Sequence, residues 1–205
     1  MQGRIQVYAV GMAAVVGTDT RERILDVAEE LVQTRGLNAM SYADISARVG
    51  ITKASLHYHF ATKSDLVRTL IARYSTRFYD ALATIETTTS DRGERLRRYA
   101  EIYATVLEGH RMCLCGMLAS DYETLSAEAQ SDVEQFFEHN IDWLARVIGE
   151  QAADGALAAD VDPRAAAETI IAGLEGAMLV SRTMAGATRF RSIATGLLAG
   201  VTARD

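Results

Sequence analysis

The stretch SYADISARVGITKASLHYHFATKSD, residues 41–65, carries the signals of two short helices joined by a tight turn. Ser41 is suited to cap the first helix because its hydroxyl accepts a hydrogen bond from a first-turn N–H, and Asp44 completes a capping box. The apolar residues that follow recur at helical spacing and predict one buried face: Tyr42, Ile45 and Val49. A short amphipathic helix is therefore expected here.

Gly50 comes directly after this helix, where a left-handed residue ends a helix most easily without a Cβ. Thr52 is then placed to cap a second short helix whose inward residue is Leu56. The other faces of that helix carry small polar, basic and aromatic side chains, which suit phosphate oxygens and base edges: Lys53, Ser55, His57, Tyr58 and His59. The sequence predicts a helix-turn-helix with Thr52–His59 as its recognition helix.

The segment TRERILDVAEELVQTRG, residues 20–36, together with residues 41–66 resembles the N-terminal DNA-binding domain of the TetR/AcrR repressors. The resemblance covers about residues 18–75, and its most specific part is the end of the recognition helix followed by Lys63 and Ser64. His57 departs from the family, which usually has an aromatic residue there. The resemblance implies a transcriptional regulator, most often a repressor, that binds a palindromic double-stranded DNA operator as a homodimer.

The same resemblance assigns roles to individual residues. It implies that Lys53, Ala54 and Ser55 approach base edges. It implies phosphate contacts for a second set: Ser41, Thr52, His57, Tyr58, His59 and Lys63. A solvated surface without a nucleic-acid partner is the alternative reading of this face.

Charge is distributed unevenly along a chain whose formal net charge is −6. Residues 1–17 carry only Arg4, residues 18–77 hold nine basic against seven acidic side chains, and residues 78–205 hold eleven against twenty. The basic excess lies where phosphate contact needs it, and the acidic remainder disfavours indiscriminate binding to nucleic acid.

Helical periodicity continues to the end of the chain, and a single proline and no strand pattern indicate an all-α fold. We expect four parts: a flexible N-terminal arm at 1–17, with Met12 as an alternative start, the helix-turn-helix domain at 18–63, a connecting helix at 64–86, and an effector-binding and dimerisation domain at 87–205. Asp19 and Ser64 are the expected caps of the first and connecting helices. Later helices are expected over 94–108, 113–120, from Ser126, over 163–185, with Asp162 as cap, and over 190–201.

The last two helices are the expected dimer interface, because small residues there allow close helix approach: Gly173, Gly176 and Ala177, with Leu179 supplying apolar area. Aromatic and methionine residues of the same domain are expected to line an apolar effector cavity: Tyr103, Met112, Met117, Phe137, Trp143 and Met178. Ordinary packing within the chain is the alternative for both sets.

Cys113 and Cys115 are the two cysteines of the chain. They are too close in sequence for an unstrained disulfide, and no second pair completes a zinc site. Without an export signal this indicates a reducing cytoplasm. A helix start and the nearby Arg111 favour a reactive thiolate, and HRMCLCGMLASDYETLS looks like a TetR subgroup whose cysteine meets electrophiles. Two small buried hydrophobic residues are the alternative.

The expected effector is therefore a small apolar or electrophilic molecule. No cofactor, metal ion or membrane contact is expected, because no two of the four histidines have the H-x-x-x-H spacing and the apolar start is too short and too interrupted by glycine to span a bilayer. Two other classes remain open. One is a helical protein–protein adaptor, and the other is an enzyme using Cys113 with His110 or His139, although no triad or oxyanion signature supports it.

Overall fold

The computed structural model of the chain describes residues 20–153 and 161–201. Within these ranges the chain forms nine α helices, one 3-10 turn at Tyr122–Thr124, and no strand: α1 Thr20–Arg35, α2 Tyr42–Val49, α3 Lys53–His59, α4 Lys63–Thr88, α5 Arg92–Glu108, α6 Leu114–Ser120, α7 Ala127–Ala153, α8 Pro163–Arg182 and α9 Gly186–Leu198. The all-α prediction is confirmed. The predicted N-terminal arm with Met12 and the predicted cap at Asp19 lie outside the described residues.

The chain divides into two compact units. The first contains the residues up to Thr76 together with Leu114–Val133, and the second contains Arg77–Cys113 and the residues from Glu134 onward. Helices α4 and α7 each contribute residues to both units. The four-part division expected from the sequence remains a prediction.

The core of the first unit is built by the apolar stripes of α1, α2 and α4, with the inward residue of α3. These side chains are almost completely buried: Ile24, Leu25, Leu31, Ile45, Val49, Leu56, Leu66 and Leu70. At the edge of this core the Arg73 guanidinium contacts the carboxylates of Glu22, Asp26 and Glu29 at 3.0, 2.8 and 2.8 Å. Helix α1 is thereby fixed to α4 by both apolar packing and charge.

The caps around the helix-turn-helix are those expected from the sequence. Ser41 and Asp44 form the full capping box of α2, and Gly50 ends that helix in the left-handed region with φ +76°. The Thr52 hydroxyl accepts a hydrogen bond from Ser55 N–H at 3.1 Å and so caps α3. Local capping therefore fixes the turn between α2 and α3.

The prediction that Ser64 caps the connecting helix is wrong, because α4 begins one residue earlier, at Lys63. Thr62 Oγ1 accepts from Asp65 N–H at 3.0 Å, and Asp65 Oδ2 accepts from Thr62 N–H at 3.1 Å. This reciprocal pair satisfies two backbone donors, whereas Ser64 lacks an acidic residue three positions on. The Ser64 hydroxyl is instead paired with that of Ser126 at 2.8 Å.

Aromatic rings dominate the core of the second unit. Phe78 packs edge-on against Tyr99, Tyr103 and Phe136, with ring centroids 5.2–5.9 Å apart. Helices α8 and α9 also belong to this unit, and Asp162 caps α8 with Pro163 at its first position, as expected.

The predicted bounds of the last helices need correction. Helix α8 ends at Arg182 rather than at 185, and α9 runs from Gly186 to Leu198 rather than over 190–201. Two turn hydrogen bonds close the end of α8: the N–H groups of Thr183 and Met184 donate to the carbonyls of Val180 and Ser181. Small residues at the start of α9 gave no apolar periodicity from which its first turn could be recognised.

The left-handed Gly50 gives a stability prediction. A Cβ at this position would meet nothing within 4 Å, so the cost of Gly50→Ala is backbone strain alone, about 1 kcal/mol. Gly50→Asn is the matched control, because asparagine tolerates the left-handed region better. In urea unfolding, the alanine variant should have a lower free energy of unfolding than the asparagine variant. Equal values would show that the turn does not require φ +76°.

Candidate functional site

Helix α3 fully buries a single side chain and leaves the others exposed or half-buried. Leu56 has no accessible surface, whereas Tyr58 is 87% exposed, and Lys53, Ala54 and His57 are exposed too. Because one leucine fixes the rotation of the helix about its axis, the polar positions face outward as a set. This is the arrangement in which a recognition helix presents side chains to a DNA groove.

Contacts from α2 and α1 hold the end of α3 in place. The Tyr42 hydroxyl donates to the carbonyl oxygen of Phe60 at 3.1 Å, and the Tyr42 and His57 ring centroids are 4.8 Å apart. The Arg21 guanidinium lies over the Phe60 ring at 4.8 Å. Burial raises the pKa of Tyr42 to about 12, so the phenol remains a neutral donor at physiological pH.

The predicted DNA-contacting residues lie on the first unit, and all are at least partly accessible. Ser41, Thr52, Lys53, Ala54, His57, Tyr58 and Lys63 are exposed, and Ser55 and His59 are half-buried. The Ser41 and Thr52 hydroxyls serve as helix caps in the free protein. The contacts of these residues with DNA remain predictions.

Lys63 has a second task that the sequence did not reveal. Its ammonium donates to the backbone carbonyls of Leu37 and Met40 at 2.8 and 3.0 Å, which leaves one of its three N–H groups for another partner. Partial burial lowers the pKa of Lys63 from its ordinary value, and Asp121 opposes this shift. The lysine therefore fixes the backbone between α1 and α2.

Comparisons with known proteins agree with this geometry. The family model of bacterial regulatory proteins of the tetR family matches residues 24–70, and that of the Tetracyclin repressor-like C-terminal domain matches residues 92–197. A TetR-family regulator from Agrobacterium tumefaciens has 36% identity and a TM-score of 0.84, over 90% of this chain and 98% of its own. A TetR regulator from Legionella pneumophila has 30% identity and a TM-score of 0.82, over 92% and 100%.

A curated relative matches most of the chain as well. The HTH-type transcriptional repressor DhaR of Mycobacterium sp. (strain GP1) is 25% identical over 79% of this chain and 82% of its own length. The fold, the exposed recognition helix and these matches define a helix-turn-helix transcriptional regulator that binds DNA. The chain belongs to the TetR family, whose members are regulators rather than enzymes and bind their operators as dimers.

The eight residues predicted to sense an effector are divided between the two units. Tyr103, Met112, Cys113, Trp143 and Met178 are buried in the second unit, and Phe137 is half-buried there. Cys115 and Met117 belong to the first unit. Tyr99 brings two of the set together, because its ring lies 5.6 Å from that of Tyr103 and 5.5 Å from that of Trp143.

The two cysteines are buried, with 1% of Cys113 and none of Cys115 exposed. The Cys113 thiol is hydrogen-bonded to the Glu175 carboxyl group. A neighbouring carboxylate and burial both disfavour a thiolate, so this environment favours an unreactive thiol. His139, one of the two histidines that the enzyme alternative pairs with Cys113, packs on Tyr79 within the second unit, with ring centroids 3.8 Å apart. The sensor role of the cysteines remains a prediction.

Glu175 is the feature of the second unit that sequence reasoning missed. As a residue it is only half-buried, but its Oε1 atom is inaccessible and has no hydrogen-bond partner among the described residues. Burial raises the pKa of Glu175 to about 7, partly offset by the Cys113 hydrogen bond. The helical spacing from Ile171 to Glu175 to Met178 already placed this acid on the buried stripe of α8.

A polar network and a second orphan atom lie in the same core. The Tyr99 and Tyr103 hydroxyls are 3.2 Å apart, and Tyr99 donates to Asn140 Oδ1 at 3.1 Å. The Trp143 indole N–H is buried without a partner in the part of the chain that the structure describes. Buried polar atoms without partners are costly in a finished core, and they are typical of binding sites.

A partly open cavity of about 340 Å³ lies between α5 and α9 of this unit. Apolar side chains and an ionic rim line it: Arg97, Ala100, Glu101, Phe190, Arg191, Ala194, Thr195, Leu198 and Ala199. None of the eight predicted effector residues lines this cavity. Phe190 lines the cavity and also contacts one of the predicted effector residues, because its ring stacks on that of Tyr103 with centroids 6.4 Å apart.

Over the described ranges no helix is long and apolar enough to cross a membrane. The same ranges contain no group of three or more histidine, cysteine and acidic side chains placed to hold a metal ion.

Glu175 predicts a pH dependence of stability. Its pKa is about 7 in the folded state against an ordinary 4.5, so between these values the folded protein holds a proton that the unfolded chain has lost. The free energy of unfolding should therefore fall by about 3 kcal/mol as pH rises through this window, and then level off. Urea unfolding of Glu175→Gln should lack this fall, whereas the exposed control Glu168→Gln should retain it. Identical profiles for wild type and Glu175→Gln would contradict the assignment.

Proposed function

We propose that this regulator is a repressor of the cytoplasm that leaves its operator when a small molecule binds in the second unit. The observation that carries the DNA-binding part is the α3 surface, where only Leu56 is fully buried and every polar side chain is at least partly accessible. Lys53, Ala54 and Ser55 are the base-reading residues of the proposal. The phosphate contacts are those of Ser41, Thr52, His57, Tyr58, His59 and the remaining N–H of Lys63.

The proposed homodimer uses the exposed side of α8. Leu179 and Val180 are 60% and 49% exposed, Met184 just beyond the helix is 53% exposed, and nothing lies within 4 Å of a Cβ placed on Gly176. Gly173 and Ala177 are occupied within the chain: Leu197 lies 2.6 Å from a Cβ on Gly173, and Ala177 is buried. The proposed interface therefore centres on Leu179 and Gly176 rather than on all four predicted positions. A two-fold pair of recognition helices matches a palindromic operator.

The proposed effector has an apolar body and a hydrogen-bond donor. Phe190 lines the cavity and its ring stacks on that of Tyr103, so a molecule that displaces the Phe190 ring would contact the buried aromatic cluster. There the unpaired Glu175 oxygen accepts a hydrogen bond, and an amine or hydroxyl supplies it. Thiol modification of Cys113 is a weaker route, because the thiol is buried and bonded to Glu175.

Release follows if the effector favours one of two arrangements of the dimer. Helix α4 runs unbroken from Lys63 to Thr88 and has residues in both units, so a shift of its second half changes the position of its first. Two recognition helices must fit half-sites a fixed distance apart, and a small change in their separation lowers operator affinity. The effector can shift this equilibrium only by its difference in affinity for the two arrangements.

Lys53→Ala tests the DNA-reading part directly. Against a duplex that the wild-type protein selects from a random-sequence pool, the variant should lose about tenfold or more in affinity, because a base contact contributes about 1–3 kcal/mol. Affinity for a shuffled duplex should change much less. Competition anisotropy at a fixed salt concentration measures both.

Arg164→Ala is the matched control, since it removes an equal charge from a partly exposed arginine of α8. It should leave both affinities unchanged. Equal losses of Lys53→Ala on the two duplexes would show that Lys53 supplies charge but no sequence reading.

A further inference from the structure

The connector between α1 and α2, residues 36–41, has few hydrogen bonds of its own. Within it, the Met40 N–H donates to the Leu37 carbonyl at 3.1 Å, and the Gly36 N–H closes the end of α1 on Val32. The N–H groups of Leu37 and Asn38 find no acceptor in either helix. Since buried or half-buried backbone donors need partners, something else must satisfy them.

Asp121, more than eighty positions later in the chain, supplies the acceptors. Its Oδ2 accepts from the N–H groups of Leu37 and Asn38 at 2.8 and 3.4 Å, and its Oδ1 accepts from Asn38 Nδ2 at 2.7 Å. Both carboxylate oxygens are thus used on two adjacent residues. Bonds to a charged acceptor are the stronger kind, and a pair of them fixes orientation as well as distance.

The opposite groups of the connector are held by a positive charge. The Lys63 ammonium donates to the Leu37 and Met40 carbonyls. The N–H donors of this segment therefore contact a carboxylate, and its carbonyl acceptors contact an ammonium group. Gly36 adopts φ +87°, and a Cβ there would lie 3.2 Å from Asp121 Oδ2. The glycine therefore serves both the left-handed turn and the close approach of the carboxylate.

Asp121 is itself held rigidly. It directly follows α6, and its N–H donates to the Leu118 carbonyl at 3.0 Å. Its carbonyl accepts from the N–H and the hydroxyl of Thr124 at 2.9 and 2.7 Å. The carboxylate therefore moves with the end of α6 and does not follow the connector as a loose side chain would.

We propose that Asp121 is a positioning residue for DNA reading: it carries the position of the end of α6 to the connector, and so to the start of α2 at Ser41. Among the described contacts, the connector is the one segment of the helix-turn-helix domain that donates three hydrogen bonds to a single acidic residue of 114–133, namely Asp121. Because Cys113, just before α6, belongs to the core with Glu175, a change there has a short covalent path to Asp121. The inference rests on the proposed function and adds a route beside α4.

The test compares Asp121→Ala with a matched control, Asp132→Ala. Asp132 lies in the same segment but pairs with Arg68 of α4 and not with the connector. In Asp121→Ala, amide hydrogen exchange at Leu37 and Asn38 should accelerate, and affinity for the wild-type-selected duplex should fall about tenfold, which is in the range of coupling between sites. The slope of affinity against salt should stay unchanged, because no phosphate contact is removed. Asp132→Ala should change neither exchange nor affinity.

Asn38→Ala extends the test to the connector side. Its side chain is exposed, so the variant should fold even if Asp121→Ala does not, and it should lose about threefold in affinity for one lost hydrogen bond. The double variant should be no worse than Asp121→Ala. Wild-type affinity with accelerated exchange, in either single variant, would overturn the inference by showing a purely structural role. A wild-type protein that selects no duplex would instead defeat the proposed function, while the exchange result would still report on the contact.

Discussion

A helix of seven residues does not persist alone in water, so the recognition helix depends on what is packed around it. The burial of Leu56 is the constraint on which the rest of the DNA-contacting surface depends. It fixes the rotation of α3, while the Thr52 cap fixes its start and the Tyr42–Phe60 hydrogen bond fixes its end. With these three anchors in place, every other side chain of α3 remains at least partly accessible to a partner.

Both units contain buried polar side-chain atoms that have no hydrogen-bond partner among the described residues. In the first, these include Arg73 Nε, Gln33 Oε1 and Ser46 Oγ, although the Arg73 guanidinium also contacts three carboxylates. In the second, the Glu175 oxygen and the Trp143 indole N–H are buried without partners among the described residues. Such atoms lower the stability of the folded state, and a bound ligand that pairs with them recovers it. In the second unit these atoms lie beside the buried rings of Tyr99 and Tyr103, and this is why we connect that unit to effector binding.

The helix-turn-helix was predictable because its signals are local. Ser41 with Asp44, Gly50 and Thr52 each act within four residues, and the structure confirms all three caps. The cap of α4 was missed because Thr62 and Ser64 both offer a hydroxyl, and only the acidic residue at 65 decides between them. The helix bounds near 183–186 were missed for lack of apolar periodicity.

Long-range contacts were beyond sequence reasoning. Lys63 was expected to contact phosphate, yet two of its protons go to carbonyls more than twenty positions away, and no pattern pointed to Asp121. Glu175 could have been identified from the sequence, because its helical spacing places an acidic residue on the apolar stripe of α8. The dimer residues remain a prediction: Leu179 is exposed and Gly176 has open space beside it, while Gly173 and Ala177 are used in packing within the chain.

The central claim is that two copies of this chain read one duplex through α3. The most direct measurement is the mass of the complex with the selected duplex, followed by insertion of about five base pairs between the half-sites, which is half a helical turn. We expect two chains per duplex and loss of tight binding on insertion, with recovery at about ten base pairs. One chain per duplex, with affinity that ignores the spacing, would contradict it.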